Sequence, residues 1–470
     1  MVSPRRKPVV SSFIGDPVTF RTFCTASAFL FVGAIASAQD SVTLSPESMR
    51  GAAAILLDQG RPAEAADLAD ALLSRNADDV AALIIRARVA LSVQDFSGAI
   101  HLAERAYRHA DSGDEHYAAA RIVALGHAEL GQDTRAQWWL RRAGNFAPND
   151  AARQSVAEDF RFLRQRNPLA ISLQFGVSPS SNVNGGSASE VIILPGLPFE
   201  FVLDGEARAL SGLQFEGGVN LTYRLRQEER SATFFDISAQ GRTYVLSAEA
   251  RDMAPDARGS DYADLSATIS LTHRWLPEQS RGPWSVTGTL GQTWYDDAPY
   301  LAFAQALVAK TTRFEAGRRL DISAFVEGQR RLQSEDEFIA LGGRARWTWI
   351  TQTRDTASVN AGFRDTLSEL EDVAFDGLSV GADYEFDQPI FDIRLGLSAD
   401  LEYRNFPQSA YSFDPREDWR GTLGVTIGLP RYTYYGFEPQ VTFEATRTES
   451  NVALYDSQAL RLNFGIRSTF

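Results

Sequence analysis

Two periodicities divide the chain. From about Ser45 to Arg166 apolar residues recur at helical spacing in an Ala-, Leu- and Arg-rich composition, which predicts amphipathic helices. After Asn167-Pro168 the period becomes 2 and stays so to the end. In FDIRLGLSADLEYR, Ile393, Leu395, Leu397, Ala399, Leu401 and Tyr403 alternate with Asp392, Arg394, Gly396, Ser398, Asp400, Glu402 and Arg404. LAISLQFGV and ALRLNFGIRSTF do the same. Each segment presents one apolar and one strongly polar face, as a strand between two different surroundings must.

The helical region repeats itself. QGRPAEAADLADALLSRNADD, VQDFSGAIHLAERAYRHADSGD and LGQDTRAQWWLRRAGNFAPND superimpose. Gly60, Gln94 and Gly131 fall at the inter-helix turn, followed by Ala65, Ala99 and Ala136 and then by Leu72, Ala106 and Ala143. A period near 34 residues with small residues at the crossing resembles tetratricopeptide repeats, helix pairs stacked in a short solenoid. An ordinary helical domain is the other reading.

The strands admit two architectures. A soluble sandwich also alternates, with its apolar faces meeting inside. Long strands repeated to the chain end, with Tyr, Trp and Phe near their ends, fit a transmembrane barrel, whose apolar face meets lipid and whose polar face lines a lumen. Closure satisfies every backbone donor and acceptor, as hydrocarbon demands. About fourteen strands are expected, beginning near Leu169, Ser211, Ala232, Tyr262, Trp284, Leu301, Leu320, Glu337, Thr356, Gly377, Ile390, Trp419, Tyr432 and Asp456. Odd connections are expected to be long (Pro179 to Gly205, Ser247 to Gly259, Pro407 to Glu417) and even ones short (Gln352 to Arg354, Gln388-Pro389, Pro430-Arg431). The fold class is thus α + β multidomain: an all-α tetratricopeptide-like solenoid and a C-terminal antiparallel β-barrel.

The extreme N-terminus reads as an address. Arg5, Arg6, Lys7 and Arg21 precede the apolar TFCTASAFLFVGAIA, and Ala36-Ser37-Ala38 follows, the layout of a cleaved secretory signal. The expected division is therefore a signal peptide at 1–38, a periplasmic helical domain at 39–167 and an outer-membrane barrel at 168–470. Cleavage would remove Cys24, the one cysteine, leaving neither disulfide nor thiolate chemistry. A net charge of -14 and a pI near 5.0 exclude nucleic acid as the main partner. The five histidines form no metal-binding spacing, and no HExxH, GxSxG or phosphate-binding glycine loop occurs. No cofactor and no enzymatic activity are expected.

At the junction the chain reads FGVSPSSNVNGGS and, past an insert, FEFVLDGEARALSGLQFEGGVNLTYRL. An opening strand that ends in P-x-x-N-x-N, carried by Asn182 and Asn184, and a later "SG" strand that ends in Tyr-Arg resemble the surface lipoprotein assembly modifiers. That family is similar throughout: signal peptide, short tetratricopeptide domain, and a fourteen-strand outer-membrane barrel with a terminal aromatic, here Phe470. Asn and Gly at 182–186 are also ordinary turn formers, and the helical part here holds only about three repeats with a weak consensus. The resemblance implies a translocon that helps a client surface lipoprotein or secreted protein reach the outer surface. It implies as partners that client, outer-membrane lipid and the barrel assembly machinery. Lumen-lining candidates are Arg344, Arg346, Arg394, Asp400, Glu402, Arg404, Arg461 and Arg467, which either contact a passing chain weakly or pair as structural ladders. Polysaccharide export and passive diffusion are the alternative functions.

Overall fold

The computed structural model describes residues 44–193, 199–370 and 373–468. The signal segment and Phe470 lie outside them. The chain divides into two compact units at Asn167/Pro168.

Among the described residues the first unit holds seven helices: α1 (Pro46–Asp58), α2 (Pro62–Arg75), α3 (Val80–Ser92), α4 (Phe96–His109), α5 (Gly113–Glu129), α6 (Asp133–Asn145) and α7 (Asp150–Arg166). Each packs on the next, and α1, α3 and α5 also touch in succession, the pattern of stacked helix pairs. Polar caps fix the starts. Ser45, Asp79, Asp95 and Asn149 accept backbone N–H bonds, and Ser112 forms a capping box with Glu115. The three repeat turns are alike: Gly60, Gln94 and Gly131 have φ of 73°, 63° and 71°. In each, the following residue donates to the carbonyl five back, as Arg61 does to Leu56, Asp95 to Ala90 and Gln132 to His127, a Schellman closure. Ala65, Ala99 and Ala136 are wholly buried where the helices cross.

The second unit is a closed antiparallel barrel. Its staves are β1 (Leu169–Ser180), β4 (Gly212–Gln227), β5 (Ser231–Leu246), β6 (Asp264–Trp275), β7 (Trp284–Tyr295), β8 (Ala298–Arg313) and β9 (Arg319–Arg331). They continue with β10 (Glu337–Ile350), β11 (Thr356–Leu367), β12 (Phe375–Glu385), β13 (Arg394–Phe406), β14 (Arg416–Gly428), β15 (Phe437–Ser450) and β16 (Ser457–Ser468). Each pairs with its sequence neighbour, and β1 returns to β16. A separate hairpin, β2 (Val191–Ile193) with β3 (Glu200–Val202), lies in the first connection.

Strand starts follow the sequence pattern to within a few residues. The largest differences have a physical cause. Phe391 and Asp392 take positive φ, so the alternation from Ile390 begins inside a turn and β13 starts at Arg394. Pro430–Tyr432 is a 3₁₀ turn, which delays β15 to Phe437. The rule of long odd and short even connections holds only in part. β7 and β8 are joined by Asp296-Asp297 alone, with φ of 49° and 55°, a two-residue turn of the left-handed hairpin kind.

Register settles which face is which. Ile171, Leu173 and Phe175 are 51%, 53% and 60% exposed, and their neighbours in the ladder continue as an apolar outer surface that includes Leu290, Phe363, Leu378 and Leu423. Burying one such side chain in lipid stabilises by about 1.5–3 kcal/mol. Outward Trp275 and Trp284 face each other near the Pro168 end, and Tyr403 and Trp419 near the other, as interfacial aromatics do.

The barrel lumen and its mouth as candidate functional site

The eight charged candidates alternate with the exposed apolar positions of their strands, such as Leu341, Leu397, Leu401 and Leu460, and so share the opposite face of the sheet. Side chains on this face reach one another across intervening strands. Arg346 meets Asp383 at 3.3 Å past β11, and Arg394 meets Glu438 at 3.4 Å past β14. Arg467 Nη1 lies 3.0 Å from Glu385 Oε1 although β13, β14 and β15 stand between their strands. Only a concave surface permits such a contact. Arg404 grips Glu402 through two bonds of 2.9 and 2.8 Å, and Arg461 pairs with Glu444 at 3.3 Å. Arg344 and Asp400 have no ion-pair partner among the described residues.

The carboxylate partners Asp383, Glu385, Glu438 and Glu444 escaped sequence reading. Glu444 stood in an alternating segment and was legible. Glu385 was not, because its partner lies 82 positions away.

Glycine keeps the wall low enough for these side chains to lie flat. A Cβ at Gly428 would overlap the Glu438 carboxylate, one at Gly381 the Asp400 carboxylate, and one at Gly291 the Phe303 ring. Elsewhere the wall is hydroxylic. Ser270 bonds Thr289 at 2.9 Å, Thr272 bonds Thr287 at 3.0 Å, and Thr426 bonds Thr442 at 3.1 Å. Mixed charge and paired hydroxyls give a surface that water wets.

At the end remote from Pro168 the first two long connections fold together. Val183 and Leu210 pack with Ala250, Ala254 and Ala257 against Tyr244 and Leu246. The last two occupy inward positions of β5, opposite Gln214 and Gly212. The cluster therefore sits on the lumen side and forms a shelf in the mouth. Asn182 and Asn184 build its edge. Asn182 Nδ2 donates to the carbonyls of Gly186 (2.9 Å) and Gln458 (3.2 Å), and its Oδ1 accepts from Gly186 N–H (3.0 Å). Asn184 Nδ2 donates to Glu206 and Arg208 carbonyls at 2.9 and 2.8 Å, and its Oδ1 accepts from Leu210 N–H at 2.9 Å. The two asparagines of the P-x-x-N-x-N turn are thus main-chain surrogates that hold the shelf.

No family model matches the sequence, and no curated protein does. Solved structures that are similar include a BenF-like porin from Pseudomonas fluorescens Pf-5, at 9% identity and TM-score 0.35 over 64% of this chain and 98% of that one. OccAB1 of Acinetobacter baumannii matches at 8% and 0.35, over 64% and 97%. A bacterial polysaccharide outer membrane secretin matches at 6% and 0.33, over 63% and 98%. At such identities and scores these likenesses carry nothing about function; the outer-membrane type of the barrel rests on its own closed topology and apolar exterior.

Proposed function

We propose that this chain is an outer-membrane conduit that assists export or surface display of a client protein, a surface lipoprotein or a secreted one. The observation that carries the reading is the union in one chain of a wet, mixed-charge lumen with a stack of helix pairs. An even number of staves leaves both barrel ends of the chain on the Pro168 side, which supports a periplasmic helical unit that engages the client. Tetratricopeptide-like stacks present a long concave surface suited to extended segments. A passive sieve has no use for such a unit. Outer-membrane lipid covers the apolar exterior. Deletion of the gene followed by proteomics of the cell surface and medium is the test. Loss of one protein from either is expected. An unchanged profile overturns the reading, and loss of a surface polysaccharide instead selects the carbohydrate alternative.

A further inference from the structure

The outer wall of the barrel carries a groove. Across β11 to β16 a cavity of about 1030 Å³ is walled by Val359, Val380, Leu401, Leu423 and Leu460, all of them exposed apolar positions. Inward side chains one step along the same staves, such as Ser358, Ser398 and Glu444, take no part in it. It therefore opens toward lipid and not into the lumen. Register makes it continuous. One row runs through Ala382, Ala399, Leu423, Ala445 and Leu460. A second, one outward step nearer the end remote from Pro168, runs through Val380, Leu401, Gly421, Arg447 and Gln458. The groove lies between them.

Its dimensions match one leaflet. Five interstrand steps from β11 to β16, of about 4.8 Å each, make it about 24 Å long. Staves tilted by about 35–45° incline it equally, so it falls about 15 Å, half of a hydrocarbon core about 30 Å thick. It rises toward the remote end: Val359 lies in the Pro168 half of β11, whereas Gln458 is the second residue of β16.

That raised end is polar. Arg447 gives its Nε–H to Glu449 at 2.9 Å, and both side chains are about two-thirds exposed. Its Nη groups meet no acceptor among the described residues, and Gln458 and Ser181 line the same end. A guanidinium facing lipid is costly in hydrocarbon and cheap where headgroups begin. We infer that the groove binds a phosphorylated glycolipid of the outer leaflet. One acyl chain lies between the apolar rows, the Arg447 Nη groups donate to a phosphate, and sugar hydroxyls meet Gln458 and Ser181. An acylated cysteine would bring no phosphate to Arg447, and a phospholipid would bring no sugar. The choice of leaflet rests on the orientation proposed above; the groove and its phosphate contact rest on the barrel alone.

Native mass spectrometry of the full mature chain in detergent tests this, with bis-phosphorylated lipid A, its dephosphorylated form, phosphatidylglycerol and a triacylated lipopeptide as competing probes. One lipid A should be retained per barrel, at least about tenfold more tightly than the dephosphorylated form. Arg447→Gln should lose about the same factor. A Cβ at Gly421 meets nothing within 4 Å, so Gly421→Phe should fill the groove and abolish retention with the circular dichroism and melting of the barrel unchanged. Equal retention of the phosphorylated and dephosphorylated probes, or native retention by both variants, removes the site. Tighter retention of phosphatidylglycerol or of the lipopeptide removes the glycolipid as occupant. Both results leave export untouched, since that reading is decided by the deletion strain.

Discussion

The carboxamide of Asn182 donates to the carbonyl of Gln458, 276 positions along the chain. Ser181 reinforces the tie: its N–H donates to Leu460 O at 3.1 Å, and its Oγ accepts from Leu460 N–H at 2.9 Å. These bonds fasten the first and last staves of the barrel to each other at the end remote from Pro168. Asn182→Ala removes a buried hub, leaving the Gly186 and Gln458 groups to find other partners. Losing such bonds costs about 1–3 kcal/mol. The expected result on whole cells is faster external proteolysis within 181–211 and a lower melting temperature, with the barrel still formed. Unchanged proteolysis would show the motif to be a passive turn.

The shelf can be attacked from its other side. Gly205 lies so close to the Met253 carbonyl that a Cβ would overlap it, and backbone cannot yield as a side-chain tip can. Gly205→Ala should separate the first connection from α8 (Ala248–Met253), at a cost of about 1–3 kcal/mol. Steady conductance in planar bilayers should rise as the shelf loosens. A variant with native conductance and native proteolysis would mean that the shelf does not narrow the mouth.

Inward and outward positions can be read directly. Cys24 is the one cysteine, so single cysteines report cleanly in the mature chain. Asp400→Cys should react with a water-soluble thiol reagent in proteoliposomes, Leu401→Cys should not, and Glu402→Cys should react again. Loss of this period of 2 would refute the assignment of the charged face to a wet lumen.

Much of this was legible because period 2 is a strong signal wherever one face is apolar. Leu395, Leu397 and Leu401 against Asp400, Glu402 and Arg404 placed β13 and both its faces. The β2–β3 hairpin and α8 were not legible, since they lie in connections, where no face repeats. The Asp296-Asp297 turn misled, because a two-residue link needs only left-handed backbone, which aspartate tolerates without announcing it.

Asp159 makes the helical unit pH-sensitive. Burial pushes its carboxyl up to about 6, although the Arg121 guanidinium opposes this from 2.7 Å and Glu158 adds to it. The folded state then holds a proton that the unfolded chain, with its ordinary carboxyl, gives up near pH 4. Between about pH 4 and 6 the native form binds more protons, so stability falls as pH rises through that window and levels off above it. Hydrogen exchange at the α5–α7 contact in the full chain should therefore speed up from pH 4.5 to 6.5, after correction for intrinsic rates. In Asp159→Asn that slope should vanish. A slope of opposite sign would mean that the Arg121 pair outweighs burial.

Gln94 offers the last test, and its sign is the unusual one. Its φ of 63° matches Gly60 and Gly131 at the equivalent turns, yet it alone carries a Cβ into the left-handed region, which costs about 1–2 kcal/mol for an ordinary residue. Gln94→Gly should relieve that strain. The glycine's greater freedom in the unfolded chain takes back about 0.4–1 kcal/mol, so the net gain is small and positive. Gly131→Ala at the equivalent turn between α5 and α6 should lose stability instead, for the mirror reason. Urea unfolding of the helical signal in the full chain measures both. If Gln94→Gly destabilises, the three turns are not equivalent, and the reading of the unit as a repeat array loses its geometric basis.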